Sequence, residues 1–311
     1  MQIWRGVDDV PADLGRTVVS IGNFDGVHLG HAHVLREARR TADRLGVDTV
    51  VAVTFDPHPM AVLRPDHAPP TLTSIETRAG LLERAGVDAA LVVAFDRDVA
   101  GWSPEEFIDR VLVGTLHASA VVVGANFRFG ARAAGDVATL AEAGASRGFE
   151  TVGVALDGGP QVWSSTYVRQ CLATGDVAGA AEALGRPFTV RGTVIEGDKR
   201  GRELGYPTAN VPIPPVDAAP ADGVYAGWLT RLDTGERYPA AISVGTNPTF
   251  DGERERRVES YVLDRDDLEL YGVEVVVEFV DHLRGQVKFE GVEALIETMD
   301  DDVRRARELL A

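Results

Sequence analysis

A formal charge of −17 over 311 residues argues against a general nucleic-acid binder, because phosphate-backbone binding relies on Lys and Arg displacing counterions. One cysteine excludes an intrachain disulfide framework, no run approaches the roughly 20 apolar residues that span a bilayer, and residues 1–6 lack the apolar core of a signal peptide. The expectation is a cytoplasmic globular protein with no membrane or nucleic-acid partner, long enough for two cores and compatible with a homo-oligomer.

In the first half, short apolar runs rich in β-branched residues alternate with amphipathic helical patterns. Strands are predicted over 18–21, 49–55, 90–95, 120–123 and 151–155, and helices over 31–45, 75–85, 103–113 and 136–147. This alternation predicts an α/β domain with a parallel sheet and helices on both faces. Ligands in such sheets bind beyond the carboxyl ends of the strands.

The first strand leads into Gly22-Asn23-Phe24-Asp25-Gly26-Val27-His28-Leu29-Gly30-His31. Two histidines at a strand-to-helix turn stand where backbone N–H groups and the helix dipole favour anions. Gly22, Gly26 and Gly30 are expected to let a phosphate approach the main chain. A zinc site is the poorer account, since Cys171 is far away and the other histidines lack ligand spacing. The pattern favours nucleotide phosphate, with His28 and His31 donating hydrogen bonds to an α-phosphate during adenylyl transfer.

Further along, Ser164-Ser165-Thr166-Tyr167-Val168-Arg169 opens a helix over about 166–184, interrupted near Gly175-Asp176. Its hydroxyls suit helix capping and phosphate binding alike. Arg169 could hold β,γ-phosphates through paired N–H donors or make a surface salt bridge.

Gly185-Arg186-Pro187 marks a break, and domains are expected over 1–186 and 187–311. Strands then follow at 188–195, 223–231, 240–244, 257–263 and 273–280 without intervening helices, as in a barrel or sandwich. A terminal helix over about 290–310 carries the stripe Val292, Leu295, Ile296, Met299, Val303, Ala306 and Leu310. The motif from Gly197 to Asn210, with Lys199, Arg202 and Gly205, reads either as a flexible loop over ATP phosphates or as a polar hairpin turn. It lacks Walker spacing. Thr208 and Asn210 offer neutral oxygens suited to Mg²⁺.

Four stretches in order carry a resemblance: residues 22–31, Thr54-Phe55-Asp56-Pro57-His58-Pro59, Gly124-x-Asn126-Phe127-x-Phe129-Gly130, and Ser164-Ser165-Thr166-x-Val168-Arg169. They resemble the N-terminal adenylyltransferase module of bacterial bifunctional riboflavin kinase/FAD synthetase. The second half is similar to riboflavin kinase at Pro207-Thr208-Ala209-Asn210, Asp222–Gly227, Ser243–Phe250 and Val258-Glu259-Ser260-Tyr261.

The resemblance spans essentially the whole chain. It implies a Rossmann-like nucleotidyltransferase domain followed by a riboflavin-kinase β-barrel with a terminal helix. By it, His28 and His31 serve ATP, Gly22, Phe24 and Gly30 belong to the ATP- and phosphate-binding set, and Ser165, Thr166 and Arg169 lie near its phosphates. Asn126 and Phe129 match positions near nucleotide or flavin, and Lys199 and Arg202 match ATP-phosphate positions in the second half. Glu259 matches the base that accepts a proton from the ribityl 5′-hydroxyl. Period two groups Glu259 with Tyr261 and Leu263, but both strand faces carry apolar residues and leave its orientation open.

The implied chemistry is riboflavin to FMN, then FMN to FAD and pyrophosphate, with ATP as co-substrate and Mg²⁺ as cofactor. An adenylyl- or cytidylyltransferase for another acceptor gives no account of Thr208, Asn210 and Glu259. A flavin-binding protein without turnover is opposed by the intact motifs. A tRNA synthetase is opposed by the short length and acidic charge.

Overall fold

Five short apolar runs and Gln2–Arg5 (β1) assemble into one parallel sheet. The others are Thr17–Ile21 (β2), Thr49–Asp56 (β3), Ala89–Ala94 (β4), Ala118–Gly124 (β5) and Glu150–Val154 (β6). The chain is described by a computed structural model covering residues 1–155, 163–197, 205–248, 254–288 and 291–311. Strand order is β1-β4-β3-β2-β5-β6, every pair parallel. β2 is wholly buried, as expected of a central strand covered on both faces. From β2 the chain runs outward through β3 to β4, then returns to β2's other side as β5. The crevice beyond the carboxyl ends of β2 and β5 is therefore the topological switch point.

Leu29–Leu45 (α1) begins there. Val34, Leu35, Ala38, Thr41 and Ala42 form its buried stripe, and Gly46 ends it in a left-handed conformation. Pro59–Leu63 (α2) follows β3, and Ile75–Arg84 (α3), capped by the Ser74 side chain, precedes β4. Arg97–Gly101 (α4) and Pro104–Phe107 (α5) come next. The latter runs into a π-helical segment, Ile108–Val113, where the Gly114 N–H reaches back to the Asp109 carbonyl. Val137–Arg147 (α6) starts on a capping box between Asp136 and Thr139. One apolar cluster lies on each side of the sheet's central strands: Val19, Val51 and Val121 belong to one, Val18, Val50 and Val122 to the other.

Backbone packing separates two compact units, Met1–Ser165 and Thr166–Ala311. Ser165–Thr174 (α7) and Val177–Leu184 (α8) occupy the predicted 166–184 region, and they part at Gly175 and the capping Asp176. Phe188–Thr193 (β7), Thr208–Ile213 (β8), Gly223–Arg231 (β9), Arg237–Pro248 (β10), Arg254–Val262 (β11) and Glu274–Gly285 (β12) form an antiparallel sheet in the order β7-β12-β9-β10-β11-β8. An isolated bridge between Ile195, two residues past β7, and Asn210 on β8 brings the edges together into a nearly closed barrel.

β8 was not among the predicted strands. Pro207 and Pro212 disguise it, but it pairs with β11 from Thr208 opposite Tyr261 to Ile213 opposite Arg256. The hairpin alternative is thereby overturned for Thr208–Asn210, which lie within a strand.

Val292–Leu310 (α9) closes the unit. Ala306, Val303 and Leu310 pack on Val224, Ala226, Ala241, Leu263 and Leu283. Val292, at the start of the predicted stripe, stays exposed. The helix is pinned by a two-pronged pair between Arg284 on β12 and buried Asp302, with the shortest contact 2.7 Å.

Candidate active sites

In the first unit the switch-point loop runs from Gly22 to His28. His28 is the N-cap of α1, its Nδ1 accepting from the His31 backbone N–H at 3.4 Å. An accepting Nδ1 leaves the neutral ring's proton on Nε2, a donor for an anion at the helix start. The His28 and His31 rings stack at 3.7 Å, and Phe24 meets His31 edge-on at 5.2 Å. Burial first, then the neighbouring His28 and Arg78, hold the His31 imidazole well below the usual histidine range. The buried His31 Nδ1 has no hydrogen-bond partner.

Gly22 and Gly30 serve this packing. A Cβ on Gly30 would lie 3.0 Å from the His28 ring and 3.3 Å from the Trp163 carbonyl. One on Gly22 would lie 3.3 Å from the Phe24 ring. Both glycines admit the protein's own aromatic rings. Gly26 has φ 82°, the region that favours glycine, whereas Phe24 and Val27 adopt positive φ with full side chains. Each such residue costs on the order of 1–3 kcal/mol, so the surroundings must hold the loop.

The holding groups were not singled out from sequence. Asp25 is buried and accepts from the Leu72 and Thr73 N–H groups, the Thr73 hydroxyl and, at 3.3 Å, Arg78. Arg78 also donates to the Thr54 hydroxyl at 3.1 Å and the Thr73 carbonyl at 3.1 Å. Thr54 in turn donates to the Asn23 carbonyl at 2.9 Å. Burial lowers the Arg78 pKa, opposed by the nearby Asp25 and Asp56 carboxylates. An arginine on an amphipathic helix reads as a surface residue, so only the Asp25 within the glycine motif could have hinted at this pair.

Ser165 approaches from the far end of this unit, its hydroxyl donating to the Asp25 carbonyl at 2.8 Å. Thr166, exposed, and Arg169, half-buried, follow on α7 in the second unit. Asn126 is exposed just beyond β5. Phe129 is buried, stacked on half-exposed Phe127 at 5.5 Å and edge-on to Phe107 at 5.9 Å. It forms core wall, and Phe127 is the ring of the two that reaches solvent.

In the second unit Val224, Ser243, Glu259 and Asn210 stand in register across β9, β10, β11 and β8. The next row on that face is Ala226, Ala241, Tyr261 and Thr208. Helix α9 covers this outer face, whereas Val258, Ser260 and Val262 turn into the buried interior. That settles Glu259's orientation: it is half-buried and lines an open cleft of about 430 Å³ with Asp222, Ser243, Gly245, Thr246 and Gln286.

Asn210 is buried, its amide nitrogen donating to the Thr208 carbonyl at 3.1 Å and lying 3.4 Å from the Thr208 hydroxyl. A Cβ on Gly197 would come within 2.6 Å of the Asn210 amide, so glycine leaves this cradle open. Tyr206, two residues before Thr208, donates to Asp300 on α9 and packs edge-on to Tyr261 at 5.1 Å. Burial, then Asp300, pushes Tyr206 up to about 12, keeping it a donor. Lys199 and Arg202 lie outside the described residues.

A histidine pair at a parallel-sheet switch point and a carboxylate beside hydroxyl and amide oxygens on a barrel define a nucleotide-handling transferase of two parts. Models of two families match the sequence: FAD synthetase over residues 10–166 and riboflavin kinase over 184–310. Bifunctional riboflavin kinase/FMN adenylyltransferases are 37% identical in Pseudomonas fluorescens, covering 100% of this chain and 98% of the relative. In Escherichia coli K12 the figures are 36%, 99% and 97%. A crystal structure described as a macrolide-efflux protein from Streptococcus pneumoniae is 30% identical with a TM-score of 0.87, covering 98% of each chain. Among the described residues, no helix here is long and apolar enough to cross a membrane.

The chain belongs to the bifunctional riboflavin kinase/FMN adenylyltransferase family. It phosphorylates riboflavin with ATP to FMN, and adenylylates FMN with a second ATP to FAD and pyrophosphate.

Proposed function

We propose that the two reactions use separate residue sets, with FMN adenylylation assigned to His28 and His31 and riboflavin phosphorylation to Glu259. The observation that carries this is their division between two compact units, each with its own polar cluster.

In adenylylation, FMN's phosphate oxygen attacks the ATP α-phosphorus and pyrophosphate leaves. The Nε2 donor of His28, the His31 imidazole and the start of α1 stabilise the charge on the α-phosphate. Gly22, Phe24 and Gly30 set the rings' positions. Ser165, Thr166 and Arg169 are assigned to the leaving phosphates, and the adenylylation domain is assigned residues 1–186, with the kinase domain from Pro187. Asn126 contacts nucleotide or flavin, with Phe129 backing that wall.

In phosphorylation, Glu259 accepts the proton of the ribityl 5′-hydroxyl as that oxygen attacks the γ-phosphorus of ATP and ADP leaves. Lys199 and Arg202 are assigned to the phosphates of this ATP. The Thr208 hydroxyl, the amide oxygen of Asn210 beside the Gly197 cradle and the Glu259 carboxylate in register with Asn210 are the hard oxygen ligands that Mg²⁺ prefers. Bound Mg²⁺ would neutralise phosphate charge. Riboflavin, FMN, FAD and ATP are the partners of this reading, and a cytoplasmic setting accords with its use of two ATP molecules.

The test is chromatography of flavins after incubating full-length variants with Mg-ATP and either riboflavin or FMN. Glu259→Ala abolishes riboflavin phosphorylation and leaves FMN-to-FAD conversion measurable, while paired His28→Ala and His31→Ala does the reverse. Folded Glu259→Ala that still makes FMN would remove the base assignment.

A further inference from the structure

We propose that Arg78 is a positioning residue for FMN adenylylation, gripping the switch-point loop on both sides of Phe24 so that His31 and His28 stay seated for ATP. The inference rests on the reading of that histidine pair as the adenylylation site.

The loop is strained, with Phe24 at φ 48° and Val27 at φ 40°. Arg78 reaches it by two routes. One amino group bonds Thr54, which donates to the carbonyl of Asn23, before Phe24. The other bonds Asp25, after Phe24, and the Thr73 carbonyl. Thr73 completes the clamp by accepting from the Gly26 N–H at 3.0 Å. Phe24, fixed between these holds, meets the His31 ring edge-on and borders Gly22.

The clamp is dry: the Arg78 and Asp25 side chains are 7% and 2% exposed. A buried charge pair is a weak source of stability compared with apolar packing, so it is the pair's geometry toward the loop that matters. Two terminal nitrogens of one planar fork serve three acceptors, a division that a single ammonium nitrogen does not reproduce. The Arg78 Nε is buried without a partner, so the fork does not use all its donors to maximise local bonding. The terminal donors instead go to the residues that flank Phe24.

The test compares Arg78→Met, Arg78→Lys and the milder Thr54→Val in the full chain. FMN-to-FAD turnover under Mg-ATP is read as kcat and KM, normalised to the folded fraction and to riboflavin phosphorylation in the same sample. Arg78→Met is expected to lower kcat at least tenfold, and Thr54→Val several-fold, with smaller changes in KM for FMN. Arg78→Lys should not rescue, since one ammonium cannot span Thr54, Asp25 and Thr73. A purely structural role would lower the folded fraction and leave the normalised kcat unchanged, and that result overturns the inference. Should Arg78→Met not fold, normal kcat in folded Thr54→Val overturns it equally. If His28→Ala with His31→Ala leaves adenylylation intact, the underlying reading fails; if that pair abolishes it and the clamp variants do not, only the clamp fails.

Discussion

The Ser165 hydroxyl donates to the Asp25 backbone carbonyl at 2.8 Å, joining two motifs 140 residues apart in sequence. The start of α7 is thereby tied to the loop that seats the histidines. Ser165→Ala removes that bond and costs roughly 1 kcal/mol of stability. FMN adenylylation should fall about fivefold, the same roughly 1 kcal/mol carried into positioning. Parallel assays of both flavin reactions check this. Unchanged adenylylation would show that the tie serves folding alone.

Gly30 separates site geometry from helix stability. Ala is favoured over Gly in a helix by about 1 kcal/mol, so Gly30→Ala should not weaken α1 itself. Its new methyl would stand 3.0 Å from the His28 ring and displace it. The expected result is a protein with an unchanged or higher melting temperature and adenylylation reduced at least tenfold. Gly80→Ala, inside α3 with nothing within 4 Å of its added Cβ, is the matched control. It should gain roughly 0.5–1 kcal/mol without loss of activity. Equal activity in both variants would refute the steric account of Gly30.

Legibility followed local pattern. The histidine turn was readable because Gly22, Gly26 and Gly30 punctuate a β-branched run and an amphipathic helix. What those glycines accommodate was not readable, since a ring's approach depends on chain folding back. Arg78 was hidden because its helix position carries no sign that Asp25, 53 residues earlier, would meet it. β1 is four residues long with only Trp4 buried, too short to show a period. β8 was masked by its prolines. Glu259 was nameable only through resemblance, because α9 makes the outer face of β11 apolar too, at Tyr261 and Leu263.

His31 gives acid sensitivity a definite sign. Its folded pKa lies well below the ordinary value, so folded His31 is neutral while an unfolded chain takes up a proton below about pH 6.5. The unfolded state then binds more protons, and stability falls as pH drops from about 6.5 toward the folded value. The slope from this one group reaches at most about 1.4 kcal/mol per pH unit. Above pH 6.5 it contributes no slope. Denaturant titrations of wild type and His31→Asn from pH 5 to 8 should diverge in slope only on the acid side. Parallel curves throughout would refute the buried-neutral assignment.

Helix α9 is anchored through one half of its length. Its C-terminal half docks through Ala306, Val303 and Leu310, and Asp302 pairs with Arg284 from within that contact. Asp302 is 5% exposed, so Asp302→Ala leaves the guanidinium half-buried without its carboxylate. Breaking a buried pair from one side costs roughly 3 kcal/mol, somewhat less here because Arg284 retains access to solvent. Loosening α9 also frees Asp300, the partner of Tyr206, which stands two residues before Thr208. Riboflavin phosphorylation should therefore decline more than stability alone requires, while His28 and His31 lie in the other unit. Asp300→Asn tests the second half of this chain of contacts by weakening the Tyr206 bond and sparing the Arg284 pair. It should raise the KM for ATP in the kinase reaction with little change in melting temperature. An Asp302→Ala protein that melts normally would show that the apolar stripe alone holds the helix.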